Sequence, residues 1–226
     1  MPAYRSSAEA DIREAVVARI REQRPNARII HEINVSTYGP NRIDVLAVDV
    51  CEIIAVEIKS AKDKLDRLPA QAKAMRACAH HTVAAIHEKF LVETKTNQWS
   101  AHYSRDGDFY RKTEPKVDTG YVWVFPEIRR VTDPDGYDDM SKWRFPKARM
   151  ESALPQGALE LLWRDELYEL CSLLKVSATR RSTMGDMSSA LRWYCTGREL
   201  TTHVCAALRR RECAEADAPI FEKVAA

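Results

Sequence analysis

The stretch Val56-Glu57-Ile58-Lys59-Ser60 constrains this chain more than any other. It completes the apolar run Ile53-Ile54-Ala55, which is short and rich in β-branched residues, as a buried strand requires. Side chains alternate between the two faces of a strand. Val56 and Ile58 therefore enter one side, while Glu57 and Lys59 share the other, and a carboxylate and an ammonium are held together on a rigid element. Asp44 lies thirteen residues before Glu57, in Arg42-Ile43-Asp44-Val45-Leu46-Ala47-Val48, which also reads as a strand. If the two strands pair as a hairpin, with a turn near Asp49-Val50-Cys51-Glu52, Asp44 meets Glu57 across it. That set is what metal-dependent phosphodiester hydrolysis needs. The bland alternative is an exposed strand edge on which the triplet forms only a salt bridge.

The surrounding pattern predicts the elements that frame this pair. Residues 6–24 read as an amphipathic helix. Ser6 or Ser7 caps it, Glu9 and Asp11 suit its positive end, and Ile12, Ala15, Val16, Arg19 and Ile20 form a stripe closed by Pro25. Residues 27–33 read as a first strand, and Tyr38-Gly39-Pro40-Asn41 as a turn. After the two motif strands, Leu65, Leu68, Ala72, Met75 and Ala79 mark one face of a second helix, with Pro69 confined to its first turn. Thr82-Val83-Ala84-Ala85-Ile86 is another short buried strand. Farther on, Tyr121-Val122-Trp123-Val124-Phe125 predicts a strand, Asp133-Pro134-Asp135-Gly136 a turn, and Trp143-Arg144-Phe145 a further strand. The polar stretch from Thr94 to Thr119 is an insertion shaping substrate access or a surface loop, and the loop is the reading preferred here. From Gln156 onward the pattern is helical: Leu159 to Leu174, Met184 to Tyr194, and Glu199 to Arg211.

Asp44 followed by Glu57-x-Lys59 resembles the core of the PD-(D/E)XK nuclease superfamily. Lys59-Ser60 followed by Arg67-Leu68-Pro69-Ala70-Gln71 is similar to a bacterial and phage branch of it. The similarity runs from about Asp11 to Lys89 and recurs more weakly at Leu161-Leu162-Trp163-Arg164-Asp165-Glu166-Leu167. Where many members carry Pro before the first acid, this chain has Ile43. The resemblance implies an α/β fold with a restriction-endonuclease-like core, ordered α-β-β-β-α-β, whose mixed central sheet is flanked by helices. The expected organisation is a nuclease-like domain over 1–150, a helical extension over 151–213 and a loosely held tail over 214–226.

The chemistry implied is hydrolysis of DNA by one or two Mg²⁺ ions, for which Mn²⁺ can substitute. Mg²⁺ is a hard cation that takes oxygen ligands and keeps several waters. Asp44, Glu57 and the backbone carbonyl of Ile58 are the candidate ligands. Lys59 acts as a base, orients water and phosphate as a charge, or forms a salt bridge without chemistry. Gln71 is the polar helix residue that in such proteins often faces the active site. Glu14 is a candidate further ligand, Glu9 a weaker stand-in, and Glu32 another carboxylate within reach. Ser60 is expected to hydrogen-bond a ligand carboxylate. His80, His81 and His87 read as structural, because neighbours on a strand point to opposite faces. Trp99, Trp123 and Trp163 read as packing residues.

A net charge of +2 over 226 residues means that any nucleic-acid footprint is local. Lys62, Lys64 and Arg67 directly after the motif are candidates, as are Arg180, Arg181 and Arg209-Arg210-Arg211 in the helical extension. That extension is either a cap on the core or a small DNA-binding unit. Six cysteines without a CxxC pair argue against a zinc ribbon and for reduced thiols. There is no apolar run of roughly 18 residues and no signal-peptide pattern, so no membrane is expected and the cytoplasm is the expected compartment. DNA is the expected partner, with no organic cofactor. Homodimerisation suits a two-strand break made by two symmetric sites. RNA remains an open substrate, and a silent DNA-binding module or a phage-encoded protein-interaction module are the alternatives.

Overall fold

The computed structural model describes residues 6–35, 42–126, 143 and 145–221. Helix α1 (Ser7–Gln23) starts where Ser6 Oγ accepts the Glu9 amide at 3.2 Å, and ends where the Arg24 amide donates to Ile20 O before Pro25. Three strands follow, β1 (Arg28–Asn34), β2 (Arg42–Val48) and β3 (Ile53–Lys59). Then come α2 (Leu68–Cys78) and β4 (His81–His87). This is the helix, three strands, helix, strand order anticipated from the sequence. The turn signals at 38–41 and 133–136 lie outside the described residues.

The remaining strands are β5 (Val92–Thr96), β6 (Tyr103–Arg105), β7 (Asp108–Thr113) and β8 (Tyr121–Phe125). The central sheet has five strands in the order β1-β2-β3-β4-β8. β1, β2 and β3 are antiparallel neighbours, whereas β3–β4 and β4–β8 run parallel. The fold is thus α/β with a mixed central sheet flanked by helices. α1 lays Ile12, Val16 and Ile20, one turn apart, against Ile29, Val45, Val56 and Ile58 on one face. Helices cover the other face as well, so every residue of β3 is buried.

The stretch read as a loop, Thr94 to Thr119, instead contains β5, β6 and β7, a three-stranded antiparallel sheet. Its overlooked signal is Asp106-Gly107 between Arg105 and Asp108. Both residues have positive φ, 50° and 81°, as a two-residue hairpin turn requires. Trp143 and Phe145, expected in a strand, lie outside any named one. They pack on Trp123, and the Trp143 and Trp123 rings stack at 5.1 Å. Arg144 lies outside the described residues.

Helices α3 (Arg164–Leu173), α4 (Met184–Tyr194) and α5 (Gly197–Arg210) form the C-terminal part. Thr183 with Asp186, and Thr196 with Glu199, form reciprocal caps that start α4 and α5. Leu167, Leu170, Leu191, Val204 and Leu208 share one apolar cluster with Ile33, Leu46, Ile53 and Met75. The extension therefore packs as a cap on the sheet and completes its core. The tail is not loose at its start. Glu215 O accepts the His31 amide at 2.8 Å, and the Asp217 amide donates to Ile29 O at 2.9 Å. These bonds satisfy part of the outer edge of β1, which would otherwise leave backbone groups unpaired. Among the described residues, no helix is long and apolar enough to cross a membrane.

At the end of the sheet remote from the motif, Glu52 is wholly buried. It accepts from Arg24 Nε at 2.5 Å, His81 Nε2 at 3.1 Å and the Met150 amide at 2.9 Å. Burial alone would raise its pKa, but the bonds from His81, Arg24 and Met150 outweigh burial and hold the carboxyl down at about 2. A depressed folded value means the unfolded chain takes up the proton first as pH falls. The stabilisation is complete above 4.5 and is lost between 4.5 and about 2. Urea midpoints at about pH 6 and about pH 3 should therefore differ more in the wild type than in Glu52→Gln. Equal differences would show that Glu52 does not drive this acid sensitivity.

Candidate functional site

Register places the two motif acids together. Val45 pairs with Val56 and Leu46 with Ala55, so one further step along the ladder sets Asp44 opposite Glu57. The turn closes as the sequence pattern suggested, with the Asp49 amide donating to Glu52 O at 2.9 Å. Asp44 Oδ2 accepts the Ile58 amide at 2.8 Å, which fixes the first carboxylate against the motif strand. Glu57 Oε1 accepts from Lys59 Nζ at 2.7 Å and from Gln71 Nε2, and Lys59 Nζ also donates to Gln71 Oε1 at 2.8 Å. Gln71 sits on the inner face of α2 with Ala74 and Cys78. Spacings of three and four residues on that helix bring its amide down onto the strand.

These groups face a cavity of about 420 Å³ whose wall also includes Glu9, Ile58, Lys64 and Arg67. A larger cavity, about 860 Å³, lies between β1 and the C-terminal helices and shares Asn34 and Arg42 with it. The smaller one holds the acid–amine set and is the candidate site on chemical grounds. Burial, and then the charge of Asp44, push the Glu57 carboxyl up to about 8 against the opposing pull of Lys59 and Gln71. Burial also raises the Asp44 carboxyl, countered by the Ile58 amide, Arg13 and Lys59. Two buried carboxylates that destabilise one another's charge form a place where a cation is favoured.

The residues meet the needs of a hard divalent cation. Glu57 Oε2 is buried and, among the described residues, has no hydrogen-bond partner, so one oxygen of an otherwise fixed carboxylate is bare. Asp44 supplies a second carboxylate, and Ile58 lines the same cavity. Among the described residues, no group of three or more His, Cys, Asp or Glu side chains is gathered to hold a metal. A cage of that kind suits zinc. Mg²⁺ uses one or two carboxylates and retains waters.

Some expected contributors are elsewhere. Glu14 is exposed and lines a separate cavity between α1 and the tail. Glu9 takes the place at the site instead, because Glu9 and Arg13 are one turn apart on the inward face and Glu14 lies about 100° further round. Ser60 does not touch Asp44 or Glu57. Its amide and hydroxyl both donate to Asp63 Oδ2, at 2.8 and 2.6 Å, and so shape the loop before α2. Lys64 and Arg67 reach the cavity wall, while Lys62 is exposed outside it. Arg180 and Arg181 are exposed between α3 and α4. Arg209 and Arg211 are buried and cannot track a phosphate backbone. Arg209 binds Asn26 O and Val48 O, and Arg211 binds Glu166 and Leu161 O. His80 accepts the Ile53 amide, His81 meets Glu52 and His87 accepts the Lys89 amide, all structural contacts. Trp123 is buried and Trp99 is largely exposed, whereas Trp163 is partly exposed with the Arg211 guanidinium over its ring at 4.5 Å.

The residue that sequence reasoning missed is Arg13. Its side chain is 1% exposed, and its Nη2 lies 2.5 Å from Glu9 Oε1, 2.9 Å from Glu32 Oε1 and 4.0 Å from Asp44 Oδ1. Nη1 donates to Asp44 O at 2.6 Å and to His31 Nδ1 at 3.2 Å. Burial, reinforced by the Arg13 charge, holds His31 near 4, so it stays a neutral acceptor. Glu32 reaches this cluster because its backbone turns left-handed, with φ 58°, and the β1–β2 ladder lapses there, opposite Asp44. The only sequence signal was the Glu9–Arg13 spacing, which is equally common on solvated helix faces.

Residues 3–97 match the family model described as bacteriophage P4 protein cII. The matched part runs from α1 to β5 and contains Glu9, Arg13, Asp44, Glu57, Lys59 and Gln71. No curated protein matches the chain, and no solved structure does.

Proposed function

We propose that this chain is a metal-dependent nuclease of the PD-(D/E)XK type, phage-related, that hydrolyses DNA phosphodiester bonds. The observation that carries the reading is the Glu57 carboxylate. It is buried, bare at Oε2, and set beside Asp44, Lys59 and Gln71 in one polar cavity. The α-β-β-β-α-β order with a mixed sheet supports the restriction-endonuclease-like fold. The match to a phage family supports the phage connection.

In this reading Asp44, Glu57 and the Ile58 carbonyl would hold Mg²⁺. The chemistry such an ion would supply is neutralisation of phosphate charge and activation of water. Lys59 presents its ammonium to the phosphate and the attacking water, and Gln71 fixes both Lys59 and Glu57 in place. Lys64 and Arg67 stand at the wall of the cavity, beside the start of α2. Two cations there form a landing place for a phosphate backbone.

The test is cleavage of supercoiled plasmid and of labelled single-stranded, duplex and branched DNA, with RNA alongside, in Mg²⁺, Mn²⁺ or EDTA. Nicking that needs metal and is lost in Glu57→Ala is the expected result. Undiminished cleavage by that variant, or none by the folded wild type on any nucleic acid, would overturn the reading. The second outcome would favour a phage-encoded protein-interaction module, for which the phage-family match is the one supporting observation.

A further inference from the structure

Four carboxylates come together from α1, β1, β2 and β3: Glu9, Asp44 and Glu57 line the cavity, and Glu32 lines the larger one beside it. They fall into two sets. Glu57 and the Oδ2 side of Asp44 face Lys59 and the Ile58 amide. Glu9, Glu32 and the Oδ1 side of Asp44 converge on one nitrogen, Arg13 Nη2, within 4.0 Å. Three carboxylates from three elements surround one buried positive centre, and together they carry enough negative charge to favour a cation. Here a side chain is that cation.

The guanidinium is held through both terminal nitrogens. Nη1 is fixed by Asp44 O and His31 Nδ1, and Arg42 Nε takes the other oxygen of Glu32 at 2.6 Å. A charge so placed cannot swing away to admit an ion, and it repels a second dication from the oxygens it binds. Through its bond to Asp44 O it also fixes the backbone that carries a metal ligand.

We propose that Arg13 is a positioning residue standing, as a built-in cation, in the place of a second divalent ion, so that this centre takes one metal ion per chain. The inference rests on the nuclease reading only in assigning a cation to Asp44 and Glu57. It distinguishes this site from one in which two ions share the carboxylates, and it makes the Glu9–Glu32 side a scaffold rather than a ligand set.

The experiment is a titration of the full chain with Mn²⁺, following free Mn²⁺ by electron paramagnetic resonance, with circular dichroism to check that each variant is folded. One ion per chain is expected for the wild type and for Arg13→Lys, which keeps the charge. Two are expected for Arg13→Met, where Glu9, Glu32 and Asp44 are released from the guanidinium. Two ions in the wild type, or one in a folded Arg13→Met, would overturn the proposal. The wild-type and Arg13→Lys counts decide the matter even if Arg13→Met fails to fold, since two ions in either would overturn it. A wild type that binds one ion and cleaves DNA, with a folded Arg13→Met that still binds one, overturns this inference and leaves the nuclease reading standing. A wild type that binds none and cleaves nothing overturns both.

Discussion

Glu57→Gln should lose metal-dependent cleavage while its thermal midpoint in EDTA rises. Glutamine keeps an acceptor for Lys59 and Gln71, so the local hydrogen bonds survive. What it removes is a carboxyl almost fully withdrawn from water, whose ionised form burial and the neighbouring Asp44 disfavour. Relief of that strain is on the order of 1–3 kcal/mol, and a chain of this size gains about 2–4 °C per kcal/mol. The same change takes away the bare carboxylate oxygen that would face a cation. Losing several kcal/mol of charge stabilisation corresponds to a rate decrease of about a thousandfold or more. The two readouts are a calorimetric melt and a plasmid assay on one preparation. A variant that melts lower than the wild type and still cuts would contradict both the electrostatic account of the site and the proposed role of Glu57.

Arg24→Met should be the most destabilising single change outside the apolar core. Arg24 is 1% exposed and bonds Glu52 through both Nε and Nη2, while Nη2 also reaches Pro146 O and Ala148 O at 3.1 Å. Its guanidinium lies over the Phe145 ring at 5.2 Å. Methionine fills much of the volume but leaves Glu52 buried without its main counter-charge. Removing one partner of a buried ion pair costs about 3–5 kcal/mol. Denaturant unfolding would measure the loss. The double variant Arg24→Met with Glu52→Gln should recover part of it, because the uncompensated charge is then gone. A single variant within about 1 kcal/mol of the wild type would mean that water reaches Glu52 and that the clamp does not depend on this pair.

These two expectations draw differently on the sequence. Asp44, Glu57 and Lys59 were legible because period-two alternation and a short hairpin follow from residue types within one local stretch. Gln71 was legible only beside the family resemblance, since its spacing alone also suits a solvated helix. The Arg24–Glu52–His81 clamp was not legible. Its members come from the end of α1, the β2–β3 turn and the start of β4, and each residue type is ordinarily exposed. The same holds for Glu9 against Glu14, because the helical stripe fixed the inward face only as closely as its apolar residues allowed. The small sheet of β5, β6 and β7 went unread for another reason. Its Asp106-Gly107 turn was present, but the flanking polar strands lack the apolar alternation that announces a buried face.

Local spacing along the chain dictates the order of the core elements, the pairing of the motif strands and the acid–acid–lysine set. Long-range packing selects which carboxylates converge, makes Arg13 the cation among them, and buries Arg209 and Arg211 rather than offering them to a phosphate backbone. Those outcomes depend on contacts between residues far apart in the chain. There, burial makes each unpaired charge costly, and charges therefore come to rest where opposite ones are already held.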